Sequence, residues 1–392
     1  MNVPETILIA YVFLGCVYWL RQAVGAVRIV RAVPVLAEID PPEPPVWPKL
    51  SVIIPACNEA ETIETAAATV LRQAYPNLEI ILVDDRSDDG TGEIIDRIAA
   101  GDDRVRALHV TELPDGWLGK VHALKCGLEH AAGRWVLFSD ADVHLSGDVL
   151  RRVVAYCEHR RMDHLAAAPD MWSTTFLVDV AVAMFLRSFC VFMRCWAIED
   201  PRSTAFIGVG AFNLVRRSAL EKTPGFEWLK LEVADDVGLG MMLKRCGARC
   251  CMVNARGLVG LHWYPSVAHM ARGMEKAFAS AAHCRVVRLL AICALTAGLE
   301  LAPLAAFIPL GHRGLWPAGV AMIASAVLSI VVLARWTRGR VLPGLFFPLG
   351  ALLNTALLLR AGWLGLRRGG IVWRGTLYRS RVLRQGIRVR FP

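Results

Sequence analysis

The chain has 392 residues, 55% of them hydrophobic, with a mean hydropathy of +0.42 and a formal charge of +9. It is too apolar for an ordinary water-soluble enzyme and has room for one large polar-faced domain plus several membrane segments. From Arg360 to the C-terminus there are nine Arg and no Asp or Glu, which beside apolar spans predicts a tail on anionic lipid headgroups and excludes nucleic acid as the partner, since no stacking pattern or recognition motif accompanies the charge.

Residues 3–20 are apolar apart from Glu5 and Thr6, and Arg21, Arg28 and Arg31 follow. A cleaved leader carries its positive charges before the apolar run, so the order here predicts a membrane anchor over 1–31 with its N-terminus outside. The proline-rich stretch ending at Trp47 and Pro48 predicts a stiff linker, 32–49, lifting the next domain off the bilayer.

From Leu50 strand and helix patterns alternate. Apolar runs at 50–54 and 80–83 flank a helical segment at 59–74. A third strand at 105–108 and a helix at 120–131 lead to a fourth apolar run that ends in Asp140-Ala141-Asp142. Such alternation predicts an α/β fold with a mostly parallel sheet and ligands at the strands' carboxyl ends. Polar loops fall there: Pro55 to Glu59 after the first strand, a loop opening with Asp84-Asp85 after the second, and the Asp-Ala-Asp segment after the fourth. Each alone fits turn chemistry; three acidic loops on one edge point to a site. Asp140 and Asp142 share a face if strand geometry continues through Ala141, and lie near a common point if the chain has turned. Two hard oxygen ligands suit Mg²⁺ or Mn²⁺ already carrying phosphates, the alternative being acids of the turn before the next helix.

Gly116-Trp117-Leu118-Gly119-Lys120 is a Gly-rich turn opening a helix, which offers free N–H groups and a lysine to a phosphate, or else a plain helix start with a solvated lysine. Across 174–198, Asp179, Arg187 and Arg194 fall within about 80° of one another at helical periodicity. Charges are costly in mid-membrane, so the segment reads as an interfacial helix in the headgroup plane, or as a helix packed inside the domain. Asp235-Asp236 opens a helical stretch at 236–245. An acid there is a first-turn residue or the carboxylate that takes a proton from an acceptor hydroxyl while a metal stabilises a departing diphosphate. The 11 cysteines are odd in number and scattered, and Cys246, Cys250 and Cys251 lack a Cys-x-x-Cys partner for zinc, so they read as reduced thiols. His262, beside Trp263 and Tyr264, is a packed histidine or a metal ligand.

Segments 51–59, 84–91, 140–142 and 234–240 resemble, in order, the motif set of family 2 inverting glycosyltransferases. The resemblance implies a GT-A fold over 50–283, a nucleotide-sugar donor, expected to be a UDP-sugar, and Mg²⁺ or Mn²⁺ as cofactor. It implies Asp236 as general base, Asp140 and Asp142 at the metal, Asp85 at the nucleobase, and Glu59 and Asp84 in the nucleoside pocket. Pro55, Asn58 and Asp235 join the expected donor side, Asp235 standing where the family has Glu. The Gly-Trp-x-Gly-Lys segment resembles lipid-glycosylating members associated with hopanoids and carotenoids, which makes Lys120 a donor contact. The Gln-x-x-Arg-Trp of processive members is absent; Lys276-Ala277-Phe278 resembles the non-processive version, with Lys276 facing the diphosphate.

Apolar stretches at 286–310 and 315–334 are long enough to span. The third, 341–359, carries Pro343, Gly344, Pro348 and Gly350. A full span there places the basic tail outside, so a re-entrant or interfacial hairpin is expected. The predicted layout is membrane helices over 284–366 and a tail over 367–392. The expected protein is a multi-pass enzyme of the inner or plasma membrane whose cytoplasmic domain glycosylates a lipid acceptor. A processive polysaccharide synthase needs more spans, and a non-catalytic nucleotide-binding scaffold predicts decayed acidic motifs.

Overall fold

The computed structural model describes residues 3–308 and 314–390; the outermost parts of the predicted anchor (1–2), first C-terminal span (309–310) and tail (391–392) lie outside them. The chain forms two compact units, one of Met1–Ala32, Ser173–Trp196 and Tyr264–Trp373, the other of Val33–Trp172, Ala197–Trp263 and Arg374–Pro392.

The second unit is the α/β body. Strands β1 (Leu50–Ala56), β2 (Leu78–Asp85), β3 (Val105–Val110), β4 (Trp135–Phe138), β6 (His164–Ala168), β8 (Asn213–Arg216) and β9 (Cys250–Asn254) form one sheet in the order β3-β2-β1-β4-β8-β6-β9. Short β5 (His144–Leu145), β7 (Asp170–Met171) and β10 (Val259–Leu261) make a second sheet. In the seven-stranded sheet β1 to β4 run parallel and β8 opposes both of its neighbours. β1 is buried along its whole length, as a strand covered on both faces requires, which is why its sequence is apolar without alternation. The order 3-2-1-4 reverses between β1 and β4, so a crevice opens at the carboxyl ends of those two strands. Register aligns their ends: Ala56 lies beside Asp84, and Ile53 beside Phe138. The expected mostly parallel α/β architecture is present.

Two segments depart from expectation. The proline-rich stretch is no free spacer. Leu36 is fully buried, Trp47 packs edge-on against Tyr75 at 5.4 Å, and the Tyr75 hydroxyl donates to the Pro48 carbonyl at 2.6 Å. Its apolar side chains gain more by covering the α/β body than by standing in water. The basic tail likewise belongs to this unit from Arg374 onward.

The first unit is helical. The helices Val3–Ala32, Val286–Ala305, Trp316–Thr337 and Phe347–Arg368, and the stretch Phe176–Ala197, are each long and apolar enough to cross a membrane by length and composition. The third C-terminal stretch therefore begins later and runs further than its prolines suggest; Pro348 sits in the first turn of its helix, where a missing N–H costs nothing. The polar stripe at 174–198 does not face outward as an interfacial helix requires. Arg187 is 3% exposed and ion-paired at 2.6 Å with Glu300, itself fully buried. The Tyr18 and Ser188 hydroxyls also donate to Glu300, and the Arg187 guanidinium lies 4.7 Å from the Trp19 ring centre. Asp179 pairs with Arg340 at 3.4 Å. Charges that look unpayable in an apolar helix are neutralised by partners far along the chain.

Candidate active site

The loops after β1 and β2 are stitched together. Asn58 turns the chain with φ 55°, its N–H donating to Ser87 Oγ at 3.0 Å while its Oδ1 accepts from the Asp88 N–H at 2.9 Å. The Glu59 N–H donates to Thr91 Oγ1 at 2.9 Å. Asp84 Oδ1 accepts from the Ser87 N–H at 3.2 Å, and Asp84 Oδ2 meets His109 Nδ1 at 3.3 Å. The other His109 nitrogen lies 2.8 Å from Asp96; that hydrogen bond raises the imidazole pKa, burial opposes it, and the contact with Asp84 adds to the rise. Asp85, 3% exposed, is held by Arg86 Nε at 2.8 Å. Burial first, then the Asp85 charge, push the Cys57 thiol up to about 11, which makes it inert. Pro55 lies inside β1, not in the loop.

Gly119, first residue of the Gly119–His130 helix, lies against this cluster: a Cβ there would sit 2.2 Å from Asp85 Oδ2. Only glycine admits that approach. Lys120 follows, its Nζ 2.6 Å from Asp140 Oδ1 and 3.5 Å from Asp235 Oδ2. Burial alone would lower the lysine's pKa, but Asp140, Asp235 and Asp236 together raise it and keep the side chain charged.

β4 ends at Phe138, so Asp140 and Asp142 lie in the turn and do not continue the strand. Burial, then repulsion by Asp140 and Glu59, push Asp142 up to about 7. Asp236 is in the first turn of the Asp235–Arg245 helix. Its Oδ2 accepts from the Gly210 N–H at 2.8 Å, and the Asp140 N–H donates to the Gly210 carbonyl at 3.2 Å. A Cβ on Gly210 would lie 2.7 Å from Asp140 Oδ2, so this glycine lets the two acids meet. Asp235 is buried at 6% exposure and Asp236 is half-buried, and both border a small pocket with Lys120, Ser139, Asp140 and Gly210. Of the two acids, Asp236 is the more exposed.

Among the described residues no three His, Cys, Asp or Glu side chains are grouped to hold a metal ion by themselves. The donor set nevertheless fits a divalent cation that brings its own phosphate oxygens: two hard carboxylates two residues apart, one of them pushed up to about 7 by burial and then by its acidic neighbours, a burden that a cation relieves. His262 adds nothing to that set. Its ring packs 5.1 Å from Trp172, whose other neighbour is His144 at 5.3 Å. Lys276 belongs to the helical unit, where its ammonium lies 5.4 Å from the Trp373 ring centre and the adjacent Glu275 pairs with Arg360 and Arg368.

Sequence reasoning missed the tail's contribution. Arg374 pairs with Glu59, and the Tyr378 hydroxyl accepts from the Gly119 N–H at 3.1 Å. The Arg388 and Val389 N–H groups donate to Glu232 Oε2 at 2.6 and 2.9 Å, while Glu232 Oε1 accepts from the Ala234 N–H at 3.0 Å. Arg374 and the 388–389 backbone are thus engaged by carboxylates of the α/β body, a different role from the predicted contact with lipid headgroups. The run of Arg was the signal available, and charge alone does not name a partner.

Residues 51–223 match the family described as Glycosyl transferase family 2. A putative teichuronic acid biosynthesis glycosyltransferase of Bacillus subtilis is 34% identical over 113 residues, 29% of this chain and 43% of that protein. The GalNAc(5)-diNAcBac-PP-undecaprenol beta-1,3-glucosyltransferase of Campylobacter jejuni is 34% identical over 103 residues, 26% of this chain and 32% of that protein. The chain thus spans less than half the length of these relatives. Among solved structures, the mannosyltransferase PcManGT from Pyrobaculum calidifontis in complex with GDP-Man and Mn2+ superposes with a TM-score of 0.55 at 21% identity, covering 92% of this chain and 98% of that one. That likeness is one of fold, the GT-A type.

Proposed function

We propose that the protein is a family 2 glycosyltransferase, the family that residues 51–223 match, and that it moves a single sugar, with inversion, from a UDP-sugar to a lipid acceptor. The observation that carries this reading is the pocket beside the carboxyl end of β4. There Asp236, half-buried and held by the Gly210 N–H, faces Lys120 and Asp140. Asp236 takes the proton of the acceptor hydroxyl as that oxygen attacks the anomeric carbon, a role worth roughly 10²–10⁴-fold in rate. Lys120, in the first turn of the Gly119–His130 helix, attracts the diphosphate. Asp85, Asp84 and Glu59 bound the nucleoside side, with Asn58 ordering the loop. Asp140 and Asp142 would hold Mg²⁺ or Mn²⁺, which supplies charge neutralisation for the leaving diphosphate.

The lipid acceptor is supported by the five apolar helical stretches and by the undecaprenol-linked substrate in the name of the C. jejuni relative. On this reading the protein sits in the inner or plasma membrane with the α/β body on the cytoplasmic side. A processive polysaccharide synthase fits less well, because Gln-x-x-Arg-Trp is absent. A non-catalytic scaffold has no use for a pocket-lining Asp236. The test is transfer by the purified, detergent-solubilised chain, given UDP-sugars, Mn²⁺ and a bacterial lipid extract, with products read by mass spectrometry. A lipid gaining one hexose-sized increment supports the reading; a ladder of increments supports the synthase, and no product with any nucleotide sugar overturns it.

A further inference from the structure

The ammonium of Lys120 occupies the ground that a divalent cation needs. Its Nζ is 2.6 Å from Asp140 Oδ1 and 3.5 Å from Asp235 Oδ2. Its side chain is 24% exposed, so it is not a surface lysine that happens to lie near an acid. It also stands in the first turn of the Gly119–His130 helix, the positive end of the helix dipole, where a cation is disfavoured unless carboxylates compensate. A metal bound to Asp140 at the usual distance of about 2.0–2.2 Å would share that oxygen's immediate surroundings with the ammonium. Two cations so placed repel strongly in a partly desolvated pocket.

We infer that Lys120 is a resident cation that holds Asp140 in the donor-free site and releases it to the divalent ion when a nucleoside diphosphate arrives. The diphosphate provides the release, since it offers the ammonium an alternative anion. Asp140 then turns from the lysine to the metal. Gly210 makes the exchange sterically open: its missing side chain leaves space beside Asp140 Oδ2, Asp236 Oδ2 and Lys120 Nζ. The consequence is thermodynamic coupling. Metal alone binds weakly, metal and nucleotide strengthen each other, and one side chain carries much of that reciprocity. The inference rests on the metal assignment proposed above for Asp140 and Asp142, and it adds a positioning role for Lys120 that a donor contact alone does not imply.

The experiment measures Mn²⁺ binding, not turnover, by the loss of the free Mn²⁺ electron paramagnetic resonance signal on adding the purified full chain, with and without UDP. In the wild type, UDP is expected to tighten Mn²⁺ binding by roughly 5–150-fold, the usual range of coupling between sites. Lys120→Met is expected to tighten Mn²⁺ binding in the absence of UDP by about tenfold and to shrink the effect of UDP. Lys120→Arg, which keeps a cation against Asp140, should stay near wild type. Lys125→Met removes a charge from the same helix away from these carboxylates and controls for general electrostatics; an equal gain there overturns the inference. So does a Lys120→Met protein that melts like the wild type yet binds Mn²⁺ alone no better. If the wild type binds no Mn²⁺ even with UDP, the metal assignment itself fails, and the two failures are told apart by that one titration.

Discussion

The Gly210 N–H donates to Asp236 Oδ2 at 2.8 Å, and the carbonyl of the same glycine accepts from the Asp140 N–H at 3.2 Å. One residue therefore sets the spacing between the proposed base and the metal-side acid. Gly210→Ala places a methyl group 2.7 Å from Asp140 Oδ2, so that carboxylate must move, and brings the methyl into contact with Asp236 Oδ2 at 3.4 Å. Transfer should fall by at least about tenfold with little change in melting temperature. Asp236→Asn should lose roughly 10²–10⁴-fold in kcat while UDP-sugar affinity, measured by calorimetry, stays close to wild type. Equal loss of donor affinity would move Asp236 into the donor site.

Asp142→Ala removes one of two candidate metal ligands and should abolish the part of UDP-sugar binding that depends on Mn²⁺. Calorimetric titration of UDP with Mn²⁺ or with chelator separates the two contributions. Undiminished Mn²⁺-dependent affinity would refute the assignment. The folded protein should not suffer, because Asp142 sits among Asp140 and Glu59 and is pushed up to about 7 by burial and by them; its charge is a burden until a cation arrives.

Glu232 is fully buried and receives three backbone N–H groups, those of Ala234, Arg388 and Val389. It ties the tail to the segment that leads into the helix carrying Asp235 and Asp236. Glu232→Ala orphans these donors, and hydrogen bonds to a charged group contribute about 1.5–3 kcal/mol each. The variant should lose several degrees of melting temperature and lower kcat more than donor KM. A kcat unchanged in a stable variant would show that the tether does not position the acids.

The strands and the acidic loops are legible in the sequence because their cause is local: apolar runs of strand length, each followed by acids within a few residues. Asp140 and Asp142 are two residues apart, so their proximity follows from chain geometry alone. The contributions of Arg374 and Arg187 are not legible, because what fixes each is distant. Arg374 reaches Glu59 across 315 positions, and Arg187 reaches Glu300 across 113. A single arginine in an apolar helix reads as a cost that drives the helix to the interface. Once Glu300 is in place the same arginine is a reason for the helix to be buried.

That pair predicts a specific pattern of stability. Breaking a buried ion pair by removing one partner costs about 3–5 kcal/mol, because the other charge is left uncompensated, whereas replacing both by apolar residues is often neutral. Arg187→Met and Glu300→Leu should each lower the melting temperature in detergent markedly, and the double variant should recover most of the loss. A double variant as unstable as the sum of the two singles would mean that the charges do not stabilise through each other.

His164 gives the pH dependence. It lies on β6, fully buried, with Nε2 2.7 Å from Asn213 Oδ1, while Asn213 Nδ2 donates to the Asp236 carbonyl at 3.4 Å. Burial pulls its pKa down from 6.5 to about 4, and the Asn213 hydrogen bond opposes that only in part. Between those values the unfolded chain binds a proton that the folded chain refuses. Stability therefore falls as pH drops from about 6.5 towards 4, and the loss amounts to about 3 kcal/mol when complete. Above pH 6.5 both states are neutral at this residue and the effect vanishes. His164→Gln keeps a donor for Asn213 without the titration. Melting temperatures of the two proteins should run parallel from pH 7 to 8 and diverge in favour of the glutamine variant at pH 4.5. Parallel curves across the whole range would show that His164 takes up its proton as readily in the folded state as in the unfolded one.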